Sequence, residues 1–263
     1  MKGKFIVLEG IDGSGKSTQA KLLEQRMINT AMRSNHPSMT PVYSTFECSD
    51  GPIGSFIRSE LLTGNIKVTG SVLNDLFIVD RDDHLKNPRN GGIAKLIEEG
   101  TNVICDRYVL SSMAYTLQGV IDNPEIQPPY YRAILQDIYE KNILNLYTLS
   151  PDLTIFIDVK PTEAMNRINE ARGDKSIYES EKKLERIRRA YESVINFFDQ
   201  DLILTGKHVI EKRSPHIGQG KFLEYSAVTM HDQVINQNIK TVDGNRSMED
   251  VSHDIFNLVK ELF

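Results

Sequence analysis

One string constrains this chain more than any other. GIDGSGKS at residues 10–17 fits G-x-x-x-x-G-K-[ST], and it stands between an apolar run, FIVLEG, and a helical pattern, KSTQAKLLEQ. A strand, a glycine-rich loop and a helix in that order present free backbone N–H groups to a phosphate at a helix N-terminus. Gly10, Gly13 and Gly15 let the backbone approach the anion, and Ser14 and Thr18 complete the set of nucleotide-binding positions. Lys16 supplies the cation, and the Ser17 hydroxyl is placed to ligate a Mg²⁺ ion that bridges nucleotide phosphates. A dinucleotide-binding loop is excluded, because GSGKST lacks the third glycine of G-x-G-x-x-G. No N-K-x-D tetrapeptide for guanine occurs, which leaves a kinase or an ATPase.

The rest of the chain supplies a fold to carry that loop. Five β-rich runs, at 4–9, 41–46, 102–106, 152–158 and 239–242, are mostly uninterrupted Val, Ile and Phe, the pattern of strands buried on both faces. Helical patterns fall between them, at 17–32, 53–62, 72–84, 93–99, 129–146, 162–171, 177–198 and 248–262. Such alternation predicts an α/β fold, a five-stranded parallel sheet flanked by helices, and with the P-loop it is read as one domain over 1–263. In the 177–198 pattern, Ser176 and Glu179 make a capping box, and Leu184, Ile187, Tyr191, Val194 and Phe198 form an apolar stripe. Its charged residues, Arg186, Arg188 and Arg189 among them, read as a solvated face. The stretch 199–237 has no clear pattern, and the spacing of its His208, His216 and His231 matches no metal motif.

Composition narrows the class of partner. Lys and Arg total 31 against 36 Asp and Glu, a net charge of −5, so no global positive field draws nucleic acid or an anionic membrane. No apolar run approaches the length of a membrane span, and the amino terminus is too short in apolar residues for a signal peptide. Two cysteines, Cys48 and Cys105, allow at most one disulfide, and Cys105 reads as a buried thiol, which fits a cytoplasmic location.

Five stretches together resemble the thymidylate kinase (dTMP kinase) family: FIVLEGIDGSGKSTQ at 5–19, GPIG with FIR within 51–58, LFIVDRDDH at 76–84, VICDRYVLSSMAY at 103–115, and PDLTIFIDVKPTEAMNRI at 151–168. The DRY-x-x-SS-x-AY string is the specific part. The resemblance implies transfer of the ATP γ-phosphoryl group to dTMP with Mg²⁺, in a homodimer. Asp106 and Arg107 end a buried strand at the carboxyl edge of the sheet, where α/β folds bind ligands, and Arg107 can grip phosphoryl oxygens with two N–H groups. Asp106 is expected beside Ser17 at the metal, and a structural Asp106–Arg107 pair is the bland alternative. Ser112 and Tyr115 share one side of the next helix and offer polar groups to the nucleotide. Phe77 and Arg81 stand four apart, where core Phe with surface Arg is the default; the resemblance implies instead that they stack on thymine and bond its carbonyl. Asp12 matches the family's acidic residue near the acceptor sugar and the metal, with Glu9 in support.

The family also has a mobile cation for the transferring phosphoryl, from an Arg in the P-loop or from the lid. Gly13 holds the P-loop place here, so the lid at 167–179 is expected to supply it, with Arg172 ahead of Arg167 and Lys175. The Arg that the family carries after the second strand is missing from STFECSDGPIG; either Arg58 or a basic residue of the insertion, such as Lys212 or Arg213, replaces it, or KM for dTMP is high and discrimination rests on Phe77 and Arg81. Thr116 stands where the family usually has Gln, and the insertion at about 199–237 has no counterpart. The alternatives are a kinase of another deoxynucleoside monophosphate and a nucleotide-binding module with weak catalysis.

Overall fold

The computed structural model describes residues 2–34, 37–122, 130–143, 149–172, 181–201 and 238–263. All five expected strands form: β1 (Phe5–Glu9), β2 (Val42–Phe46), β3 (Asn102–Asp106), β4 (Leu153–Asp158) and β5 (Ile239–Asp243). They pair in parallel in the order β2-β3-β1-β4-β5. Because β3 and β4 lie on opposite sides of β1, the strand order reverses there, and the crevice at the carboxyl ends of these three strands is where such a sheet receives ligands.

The expectation that every strand is buried on both faces holds for β1, β3 and β4 and fails for the other two. β2 and β5 are the edges, and most of their residues are partly or fully exposed. Edge position, rather than composition, sets their burial.

The helices are α1 (Lys16–Ser34), α2 (Pro52–Phe56), α3 (Gly70–Lys86), α4 (Ile93–Glu98), α5 (Val109–Ile121), α6 (Tyr131–Ile143), α7 (Pro161–Arg172), α8 (Glu181–Asp201) and α9 (Met248–Lys260). Side-chain caps start two of them: Thr69 accepts from the Val72 N–H before α3, and Ser247 accepts from the Asp250 N–H before α9. The Ser176–Glu179 box, the three insertion histidines, Lys175, Lys212 and Arg213 lie outside the described residues. The apolar stripe of α8 is borne out, with Leu184, Ile187, Tyr191, Val194 and Phe198 all buried. Burial of each contributes about 1.5–3 kcal/mol to folding.

The single helix expected over 53–62 is instead α2 followed by a wider turn at Ile57–Leu61, in which the Leu62 N–H reaches back five residues to the Ile57 carbonyl at 2.9 Å. Ile57 and Leu61 bury there with Cys48 in a small second cluster, while Arg58 reaches the carbonyls of Cys48 and Ser49. Among the described residues no helix is long and apolar enough to cross a membrane. Cys48 and Cys105 are both free, buried thiols; burial pushes Cys48 up to about 12 and Cys105 well above its ordinary value.

Candidate active site

The P-loop closes around its own lysine. Lys16 Nζ donates to the Ile11 carbonyl at 2.7 Å and to Ser14 Oγ at 3.3 Å, and the side chain is buried. Burial, with the Arg107 charge adding to it, lowers the Lys16 pKa to about 8 against the pull of Asp106, Asp12 and Glu9. Gly13 adopts φ 77°, and a Cβ there would lie 2.4 Å from the Ala164 carbonyl on α7, so the loop has no room for a side chain at this position. A cavity of about 370 Å³ opens beside the loop, lined by Asp12, Lys16, Ser17, Asp106, Arg107 and Arg167, with Gly13, Gly15, Thr18 and Ile168.

Ser17 and Asp106 meet as expected. Ser17 Oγ donates to Asp106 Oδ2 at 2.5 Å, and Asp106 Oδ1 is buried without a hydrogen-bond partner among the described residues. A hydroxyl and an unsatisfied carboxylate oxygen beside a phosphate cradle fit Mg²⁺, a hard cation that takes oxygen ligands and completes its shell with phosphate and water. Among the described residues no group of three or more His, Cys, Asp or Glu forms a metal cage by itself.

Arg107 is not paired with its neighbour Asp106. It has φ 74°, the one described non-glycine residue with a left-handed backbone, and its Nη2 donates to Asp12 Oδ1. Nη1 donates to the Gly10 carbonyl at 3.3 Å and to Ser111 Oγ at 3.2 Å, and the guanidinium sits 5.3 Å over the Tyr115 ring. Tyr115 Oη in turn donates to Asp12 Oδ2 at 2.9 Å. Burial opposes the Arg107 charge, but the acidic groups around it, Asp12 and Asp106 among them, together raise its pKa well above the ordinary value.

Beneath Arg107 lies a polar knot that the sequence had only half indicated. Glu9 is buried, accepts from the N–H groups of Tyr108 (2.9 Å) and Ser111 (3.1 Å), and accepts from the hydroxyls of Ser111 (2.5 Å) and Tyr191 (3.1 Å). Burial raises its pKa, with the Ser111 hydroxyl and Arg107 working against the shift. Tyr191 also donates to the Gly10 carbonyl at 3.2 Å, so α8 is tied to the P-loop through this one ring. The sequence places Tyr191 in an apolar stripe, and nothing in that stripe marks its hydroxyl.

Ser112 and Tyr115 serve different neighbours despite sharing a helix face. Ser112 Oγ accepts from Arg81 Nη2 at 2.5 Å. Arg81 is 2% exposed, against the default of a surface Arg, and Glu47 pairs with it at 2.9 Å. Burial raises the Glu47 pKa to about 7, and the Arg81 charge opposes that rise. Phe77, one turn before Arg81 on α3, is partly buried against the Cys48, Ile57 and Leu61 cluster.

Arg58, expected as one replacement for the second-strand Arg, does not stand free. It donates to the Cys48 and Ser49 carbonyls and to Asp50 Oδ1 at 2.9 Å, and lies 5.3 Å over the Phe46 ring. Ser49 is wholly buried and donates to Asp80 Oδ1 at 2.6 Å, so an Arg cannot be built at that position. On α7, Arg167 lines the cavity while donating to Glu163 Oε1 and to the Gly244 carbonyl, both at 2.9 Å. Arg172 ends α7, and its side chain lies outside the described residues. Arg188, expected on a solvated face, instead grips Asp158 through two bonds of 2.7 and 2.8 Å at the carboxyl end of β4.

The family model described as thymidylate kinase matches residues 8–217. The chain belongs to the thymidylate kinase family. A Methanococcus aeolicus protein named "Probable thymidylate kinase" is 36% identical over 194 residues, covering 73% of this chain and 80% of that one. The thymidylate kinase of Brachyspira hyodysenteriae is 33% identical over 193 residues, with 73% and 81% covered. In fold, the chain is similar to a solved thymidylate kinase from Candida albicans, with TM-score 0.68 and 19% identity over 99% of this chain and 92% of that chain. Thr116 donates to Asn74 Oδ1 at 3.1 Å.

Proposed function

We propose that this member of the thymidylate kinase family transfers the γ-phosphoryl group of ATP to dTMP, giving ADP and dTDP. The observation that carries the reading is the shared cavity in which the P-loop and the Arg107–Asp12 pair face one another. In this reading the P-loop N–H groups and Lys16 hold the ATP phosphates, with Gly10, Ser14 and Thr18 completing the nucleotide contacts. Ser17 and Asp106 would hold Mg²⁺, which would supply positive charge to offset that of the phosphates.

Arg107 orients the dTMP phosphate, and Glu9, Ser111 and Tyr191 support its guanidinium from beneath. Asp12 and Tyr115 border the acceptor sugar, Phe77 stacks on the base, and Arg81 with Ser112 offers donors to it. The lid cation, assigned to Arg172 with Arg167 on the nucleotide side, meets the charge that develops on the transferring phosphoryl. Positioning of two anions in line and exclusion of water account for most of the rate.

The same reading treats the chain as one kinase domain, with a lid at about 167–179 and an insertion at about 199–237. It places the protein in the cytoplasm, in keeping with two free buried thiols. It also makes the protein a homodimer: Val72 and Val79 lie one heptad apart on α3 and are 45% and 51% exposed, an outward apolar face that a second copy would cover. Incubation with γ-³²P-ATP and dTMP tests the reaction. Label is expected in dTDP, and label found only in inorganic phosphate overturns the reading.

A further inference from the structure

Arg81 has five N–H groups, and the described residues account for four of them. The Nε hydrogen goes to Glu47 Oε1 and Oε2 at 3.2 and 3.1 Å. Nη2 donates to Glu47 Oε2 at 2.9 Å and to Ser112 Oγ at 2.5 Å. Nη1 donates one hydrogen to Asn142 Oδ1 at 3.0 Å, which leaves its second hydrogen over. The guanidinium plane is further fixed over the Tyr108 ring at 4.9 Å. Every protein partner is an acceptor, as a donor-only side chain requires.

Asn142 sits wholly buried near the end of α6, and its amide can face only one way. Nδ2 lies 2.9 Å from the Ile138 carbonyl, a group that only accepts, so the nitrogen must be on that side and Oδ1 on the side of Arg81. The same Nδ2 donates to Asn74 Oδ1 at 3.1 Å, and that oxygen also accepts from Thr116 Oγ1 at 3.1 Å. A chain of buried groups on three helices therefore dictates the orientation of one acceptor, and that acceptor engages the nitrogen carrying the leftover hydrogen.

We infer that Asn142 is a positioning residue for base selection: by holding one Nη1 hydrogen of Arg81 it aims the other at a ring carbonyl of the acceptor base, favouring a pyrimidine with a carbonyl over one with an amino group at that place. The inference rests on the reading of Arg81 as the base-contacting donor. An amino group there would meet a second donor and leave both unsatisfied in a buried site, a strong basis for discrimination. Without the Asn142 oxygen the guanidinium has two spare hydrogens on Nη1 and a freer swing, so the direction of the contact is lost while its charge remains.

The test compares kcat/KM for dTMP, dUMP and dCMP in the parent, Asn142→Leu, Thr116→Val and Arg81→Lys proteins. For Asn142→Leu the dTMP over dCMP ratio should fall about tenfold, mainly through a higher KM for dTMP, with KM for ATP unchanged. The dTMP over dUMP ratio should hold, because those bases differ by a methyl group alone. Thr116→Val removes only the far hydroxyl and should move the dTMP over dCMP ratio in the same direction by less, which keeps the test open if Asn142→Leu does not fold. Loss of all acceptors in equal proportion overturns the inference and leaves Asn142 a structural residue. A ratio that Arg81→Lys changes and neither network variant changes overturns the inference alone, whereas a ratio untouched by Arg81→Lys overturns the reading of Arg81 as well.

Discussion

Ser17 Oγ and Asp106 Oδ2 lie 2.5 Å apart, joining the first turn of α1 to the carboxyl end of β3 across 89 residues of sequence. Among the described residues the other oxygen of Asp106 has no hydrogen-bond partner, which leaves it open to a further ligand. Asp106→Asn should raise the Mg²⁺ concentration needed for half-maximal activity about tenfold or more, while the melting temperature moves by no more than about 4 °C. An unchanged Mg²⁺ dependence would remove Asp106 from the metal site.

Lys16 makes a prediction about protons. Its pKa of about 8 lies below the ordinary 10.5, so the folded apo protein releases this proton earlier than the unfolded chain does. Its contribution to apo stability therefore grows as pH rises from about 8 toward 10.5. ATP phosphates restore the charge, and binding at pH 8 should take up about half a proton that binding at pH 6 does not. Calorimetry in buffers of different ionisation enthalpy measures the uptake, and Lys16→Ala should abolish both it and turnover.

Gly13 has no room for a cationic side chain. With φ 77° and the Ala164 carbonyl 2.4 Å from any Cβ, Gly13→Arg should lower the melting temperature by at least about 4 °C and reduce kcat. A variant that folds normally and turns over without need of Arg172 would show that α7 yields and that the loop accepts its own cation.

The two lid arginines should separate kinetically. Arg172→Ala is expected to lower kcat far more than it raises KM for ATP, the mark of a contact made in the transition state. Arg167 is already bonded to Glu163 and Gly244, and Arg167→Ala should mainly raise KM for ATP. Reversal of the two patterns would transfer the mobile cation to Arg167.

The sheet was legible in sequence because continuous apolar runs at β1, β3 and β4, alternating with helical patterns, fit strands buried on both faces of a parallel sheet. The phosphate cradle was legible because all its parts are adjacent in the chain. What escaped notice depends on partners distant in sequence. Glu47 and Asn142 meet Arg81 across 34 and 61 residues, and neither carries a local pattern that marks the contact. Likewise, Arg107 adopts a backbone that turns it from Asp106 toward Asp12, 95 residues away, a choice made by the loop after β3 and invisible in the letters DRY. The wide turn at Ile57–Leu61 has no glycine or proline of its own to announce it.

The central claim is the acceptor. Coupled ADP release measured with dTMP, dUMP, dGMP, dCMP and dAMP, at equal concentrations and with Mg²⁺-ATP in excess, reads it directly. The highest kcat/KM should belong to dTMP, with dCMP and the purine monophosphates at least about a hundredfold lower, and ADP release without an acceptor should be negligible. A purine monophosphate or dCMP matching dTMP, or ADP release that no monophosphate accelerates, would contradict the account.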